Sequence, residues 1–173
     1  ISSQADWDRM ARLVSEGRSG LHCMLTGNLT LSASSPMVGT ENRPFIGVFD
    51  GNGYTLSFDY QVSEDYAAPF RYVRGATIKN LHTTGSITTT EKFASGLIGR
   101  IEEGTNVIDH CWSSVMLNSS INGDATNGGF VGVLGGGSLE MKDCSFDGQF
   151  LGSQCYNNGG LVGWADSYSR LSM

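Results

Sequence analysis

The side chains in this chain with chemistry to offer are three histidines, four cysteines and a scatter of carboxylates. His22, His82 and His110 belong to no His-Glu-x-x-His run, and no Gly-x-Ser-x-Gly elbow surrounds a serine. Gly135-Gly136-Gly137 leads into no helix that would hold an anion. His110 precedes Cys111, whereas His82 follows Leu81, which takes the cysteine's place in an earlier repeat. Strand alternation then puts the two imidazoles on opposite faces, where they share no metal. The acidic pair to weigh is Asp109 and Asp143, ten and eleven residues after Gly99 and Gly132. On coils stacked about 4.8 Å apart, two such carboxyls approach the separation of roughly 5–5.5 Å used by retaining glycosidases. The one-residue mismatch aims them differently. Glu102, beside Arg100 and Glu103, is accounted for by a solvated corner.

Asp50-Gly51-Asn52-Gly53 alternates oxygen ligands with glycine as calcium loops do, yet no late bidentate glutamate completes it, and a tight corner explains it. Cys23, Cys111, Cys144 and Cys155 include no pair at metal-ligand spacing. Cys111 and Cys144 occupy matching repeat positions and read as small apolar core residues, while a Cys144–Cys155 bond stays geometrically open. Tyr54, Tyr60, Tyr66, Trp112, Trp164 and Tyr168 offer rings on which sugars could stack, although core or corner packing explains each as well. No acid–base set converges. The expectation is no catalytic residue, no cofactor and no metal site.

What must position these groups is a repeat. Ser95-Gly96-Leu97-Ile98-Gly99, Gly128-Gly129-Phe130-Val131-Gly132 and Gly159-Gly160-Leu161-Val162-Gly163 say nearly the same thing, and their final glycines are 33 and 31 residues apart. Cys111 and Cys144 each lie twelve residues beyond such a glycine, closing strand-like runs. A worn copy reads Ala68-Pro69-Phe70-Arg71-Tyr72, followed by Thr77-Ile78-Lys79-Asn80-Leu81. Fixed periods of about 20 to 50 residues mark solenoids. This period suits a coil of three short strands, with glycine-rich corners expected at 104, 123, 135–137 and 148.

The opening residues carry a helical stripe instead. Ser3 with Asp6 makes a capping box, Trp7, Met10, Ala11 and Val14 share one face, and Gly17 and Gly20 offer the stop. A helix there covers the open end of a strand array. Leu21 to Leu31 reads as two short strands around Thr26-Gly27-Asn28, and residues 32–44 as a surface loop. Phe45–Phe49 and Tyr54–Phe58 flank Asp-Gly and Asn-Gly as a hairpin or a corner. The fold class expected is all-β: a right-handed parallel β-helix (solenoid) with a short N-terminal capping helix. Residues 1–173 form one domain, with the cap at 1–20, irregular first coils at 21–72 and regular coils at 73–173, the last incomplete.

Composition narrows the function classes. Twenty-four glycines among 173 residues suit short strands and tight turns. A net charge of −6 without a basic stripe excludes nucleic acid and polybasic membrane attachment. No apolar run is long enough for membrane insertion, and any export signal has been removed or lies outside this sequence.

The three pentapeptides resemble the GLUG motif, named for its Gly-Leu-any-Gly core and matched by Gly96-Leu97-Ile98-Gly99, Gly129-Phe130-Val131-Gly132 and Gly160-Leu161-Val162-Gly163. The segment from Pro44 to Leu56, the helix around Trp7 and the strands at Leu25 to Leu31 look like what leads into such repeats. Phe130 in the leucine place and the worn copy are departures. The resemblance implies a bacterial secreted or cell-surface β-solenoid, as in adhesin-like chains and non-catalytic regions of IgA-cleaving peptidases, and it implies no catalytic residues.

Expected function follows: a non-enzymatic extracellular module, an adhesin-like scaffold or spacer whose loops meet an unidentified protein or glycan ligand. One alternative is a carbohydrate-active β-helix enzyme, a lyase or glycosidase using Asp109, Asp143 and Glu102. Another is an accessory domain of a larger secreted peptidase. Because the chain stops inside a repeat, self-association through an open C-terminal coil is expected.

Overall fold

Strand-forming runs that alternate small polar with apolar residues can bury one face only by stacking on their neighbours, and this chain does so in parallel. The computed structural model describes residues 1–121, 126–152 and 156–173. The corner expected at Gly123, and Cys155 of the Cys144–Cys155 pairing left open above, lie outside the described residues. Successive coils contribute one strand to each of three parallel sheets, a β-solenoid.

Among the described residues the first sheet runs His22–Met24, Val48–Asp50, Thr77–Lys79, Thr105–Asp109, Ser138–Lys142 and Arg170–Ser172. In the second, Leu29–Thr30, Thr55–Val62, His82–Thr89 and Trp112–Ser119 are followed by Ser145–Phe146 and Gln149–Leu151, both on Trp112–Ser119. The third holds Phe70–Val73, Ile98–Ile101, Val131–Leu134 and Val162–Ala165. A short pair, Thr126–Gly128 with Asn157–Gly159, precedes the third sheet in the later coils.

Register stacks like on like. Ile98, Val131 and Val162 pair in line, so the preceding Leu97, Phe130 and Leu161 form one column, Leu97 and Phe130 with no exposed surface. Phe49, Ile78, Ile108 and Met141 form another inside the first sheet, all buried. Helix α1, Gln4–Ser15, starts at the Ser3–Asp6 capping box and buries Trp7, Met10, Ala11 and Val14. Trp7 meets Phe49 and Phe70 edge-on, with centroids 5.9 and 5.6 Å away, and its indole N–H donates to the Pro36 carbonyl at 2.9 Å.

The closing glycines of the repeat, Gly99, Gly132 and Gly163, are places where coils touch backbone to backbone. A Cβ on Gly132 would lie 2.7 Å from the Gly99 oxygen, and one on Gly163 would lie 2.9 Å from that of Gly132. Ordinary Cβ contacts begin near 3.4 Å, so nothing larger than hydrogen fits.

Three expectations change in detail, and one open choice is resolved. Phe70 pairs with Ile98 and Tyr72 with Arg100, so the worn copy is Ala67-Ala68-Pro69-Phe70-Arg71, one residue earlier than the sequence match, with Arg71 in the glycine's place. Of the two readings of segment 44–58 the structure shows the corner: Val48–Asp50 and Thr55–Val62 pair in different sheets. Gly148, by contrast, is not the corner expected; it interrupts a strand in line with Val115, where a Cβ would press on the Phe146 ring. Residues 32–44 are not all surface. Val38 is fully buried, takes the Pro69 carbonyl on its N–H at 2.8 Å, and so stands in for a first strand of the third sheet.

Candidate functional site

The corner joining the first sheet to the second is made in three coils by one residue in the left-handed region. Asn80, His110 and Asp143 have φ of 52°, 49° and 47°. Asparagine and aspartate tolerate that conformation best. Their backbones are tied in series, Asn80 N–H to the Asp109 carbonyl and His110 N–H to the Lys142 carbonyl, both at 2.9 Å. Before each corner runs a ladder of alternating charge, Asp50, Lys79, Asp109, Lys142, one residue per coil. After it come Thr55, His82, Trp112 and Ser145, also in line.

Between these rows lies an open groove of about 410 Å³ lined by Asn52, Gly53, Asn80, Leu81, His82, His110 and Trp112. Trp112 is 46% exposed. One ring face stacks on His82 with centroids 4.5 Å apart, and its indole N–H donates to Asp147 Oδ1 at 2.8 Å. His82 bridges three coils: Nδ1 is 3.3 Å from Thr55 Oγ1 and Nε2 is 2.8 Å from Ser114 Oγ. Burial lowers the His82 pKa, and the Asp147 carboxylate offsets only part of that.

Strand alternation continues this face down the second sheet with Ser57, Thr84 and Ser114, then Asp59, Ser86 and Met116, then Gln61, Thr88 and Asn118. Ser86 donates a hydrogen bond to Asp59 across coils. The result is a field mostly of hydroxyls and amides, with Asp59 and the exposed Met116 among them and Trp112 at its edge. Such a surface suits a ligand with many hydroxyls and one apolar face.

His82 and His110 do not lie on opposite faces, as strand alternation implied; both line this groove. The left-handed residue at 110 breaks the alternation, so period-two counting does not run through the corner. Asp109 pairs with Lys142, so the offset between Asp109 and Asp143 is real. His110 nevertheless closes the gap: one ligand atom from each of Asp109, His110 and Asp143 falls within 4.8 Å of the others. Glu102 joins neither. It sits at the opposite end of the strand Thr105–Asp109, with Arg100 Nε 2.7 Å from its Oε1.

The Asp50 carboxylate is taken by donors: the Asn52 N–H at 2.8 Å and Asn80 Nδ2 at 3.0 Å on Oδ1, and Lys79 Nζ at 3.2 Å from Oδ2. Burial works to raise its pKa, but these partners outweigh it and the net direction is down. The segment 50–53 therefore folds as the tight corner expected. Cys111 is buried, and burial pushes its thiol up to about 12, far from a nucleophile; Cys144 and Cys23 are half-buried. Of the aromatics considered, Tyr60 is core, 1% exposed. Tyr66 stacks on Phe93 at 5.2 Å and lies under Arg100, Tyr54 packs on the core, and Trp164 and Tyr168 are exposed near the last coil.

Comparison with family models, with curated proteins and with solved structures finds no match to this chain.

Proposed function

We propose that the chain is a non-enzymatic module of a secreted or cell-surface protein, a GLUG-type scaffold whose second sheet presents a glycan-binding face. The observation that carries this reading is Trp112, an exposed indole oriented by Asp147 and His82 at the rim of a groove lined with amides. A pyranose offers aliphatic C–H groups to a ring face and hydroxyls to the amides and carboxylates beside it. The rigid in-register sheet holds these groups in place before binding, which limits the ordering entropy lost. The resemblance of its repeats to those of adhesin-like surface proteins favours the same reading and an extracellular setting.

The test is a glycan array followed by calorimetry on the best binder, with Trp112→Ala as the comparison. Loss of the stacking partner is expected to weaken binding about tenfold or more, or about 1.4 kcal/mol. Undiminished binding by Trp112→Ala, or no bound glycan on the array, contradicts the reading. Cleavage of the bound glycan, abolished by alanine at Asp109, Asp143 and Glu102, would establish the enzymatic alternative instead.

A further inference from the structure

His110 and Asp143 occupy the same left-handed corner position in consecutive coils, so the fold places an imidazole and a carboxylate side by side at the solenoid's edge. Their facing atoms, His110 Nε2 and Asp143 Oδ2, are 3.3 Å apart. On the other side of the ring, Asp109 Oδ1 is 2.6 Å from His110 Nδ1. With Asp109 accepting the Nδ1 proton, the Nε2 lone pair faces a carboxylate oxygen. That contact is attractive only if a cation, a proton or a metal ion, sits between them.

The nearby ammonium groups are engaged elsewhere: Lys79 lies 3.2 Å from Asp50, and Lys142 lies 2.9 Å from Glu140. Two ligands on a tetrahedral ion with bonds of about 2.0–2.1 Å are separated by roughly 3.3–3.4 Å, the spacing found here. An imidazole whose far nitrogen is held by a carboxylate is the arrangement that fixes the metal-binding tautomer and raises ligand basicity.

We propose that His110 Nε2 and Asp143 bind a divalent first-row transition ion, Zn²⁺ above all, with Asp109 orienting the imidazole and water filling the open positions. One imidazole with carboxylate oxygen favours Zn²⁺ over Ca²⁺ or Mg²⁺, which prefer all-oxygen shells. The side chains of His110 and Asp143 are 62% and 72% exposed, so the ion can enter freely and exchange its waters for a ligand's oxygens. The site stands whether or not a sugar binds the adjoining groove.

Calorimetric titration of the intact chain with Zn²⁺ alone, followed by ¹⁵N imidazole NMR, tests it. One equivalent should bind, and His110 Nε2 should show the metal-bound shift while Nδ1 stays protonated. His110→Asn and Asp143→Asn keep residues that tolerate a left-handed backbone, so both should fold as the parent does. Each should weaken binding at least about tenfold, and Asp109→Asn about 10- to 100-fold. His82→Gln should leave it unchanged. The proposal is overturned if Zn²⁺ does not saturate, if both corner variants bind as well as the parent, if thiol alkylation rather than His110→Asn abolishes binding, or if His110 holds only a proton at saturating Zn²⁺.

Discussion

Gly129 and Gly160 hold the same place in consecutive repeats, but a methyl group added to each should have opposite consequences. A Cβ on Gly129 would meet the Gly160 carbonyl oxygen and lie 2.6 and 2.8 Å from two carbons of the Phe146 ring. Ordinary contact starts near 3.4 Å, so the ring must retreat by roughly 0.8 Å and the neighbouring coil by more. Coils spaced about 4.8 Å apart by hydrogen bonds cannot separate that far locally without losing them. Over-packing of this kind costs about 1–3 kcal/mol, and a clash against backbone belongs at the upper end. For a chain of this size about 3 kcal/mol lowers Tm by roughly 6–12 °C. On Gly160 the same Cβ meets no described residue within 4 Å, so Gly160→Ala should change Tm little. Gly27→Ala, also in open space, is the reference for loss of chain entropy in the unfolded state. Thermal melts followed by circular dichroism, with urea melts as a check, decide it. Equal Tm values for Gly129→Ala and Gly160→Ala would refute inter-coil contact as the reason for the repeat's glycines.

Other consequences can be measured alongside. Among the described residues the Thr83 hydroxyl and the Tyr60 hydroxyl are buried without a hydrogen-bond partner, so Thr83→Val and Tyr60→Phe should leave urea stability unchanged or raise it by about 1 kcal/mol, whereas a clear loss would mean each hydroxyl has a partner. Asp6 is held at about 2, against an ordinary 3.8, by hydrogen bonds from the Ser2 N–H, the Ser2 hydroxyl and Ser3; its contribution is present above pH 3.8 and lost as pH falls towards 2, so Asp6→Asn should flatten the acid limb of the stability curve. His82 shifts downward, so folding opposes its protonation: stability should fall as pH drops below the ordinary 6.5, and His82→Gln should remove that slope in melts between pH 8 and 5. Trp164, Tyr168, Leu171 and Met173 are exposed around the last coil, so light scattering should show concentration-dependent association that Leu171→Lys abolishes, and a strictly monomeric chain at high concentration contradicts it.

Much of the fold was legible because its causes are local. The pentapeptides mark where coils must touch without side chains, the capping box and apolar stripe mark the helix, and the period sets three strands per coil. The worn copy sits one residue from its sequence match because Arg71 fills the glycine position and nothing in composition marks it. Val38 lies hidden in a polar segment, where one buried aliphatic side chain carries no periodicity. The groove was harder to read. Trp112 was recognised as a ring that sugars could use, but its partners His82 and Asp147 come from the coils on either side and depend on register. The Asp109–His110–Asp143 cluster does not show when the carboxylates alone are aligned, because the residue in register with Asp143 is a histidine. Its available signal was the polar series Asn80, His110, Asp143, each opening a corner.

Coil-on-coil register underlies the groove, the ion site and the glycine argument together. With the native cysteines replaced by serine, Thr88→Cys and Asn118→Cys should form a disulfide readily, because these in-register residues face outward on adjacent strands whose spacing of about 4.8 Å suits the bond. Thr88→Cys with Met116→Cys, two residues out of register, should not. A cross-link in the second pair and none in the first would contradict the whole account.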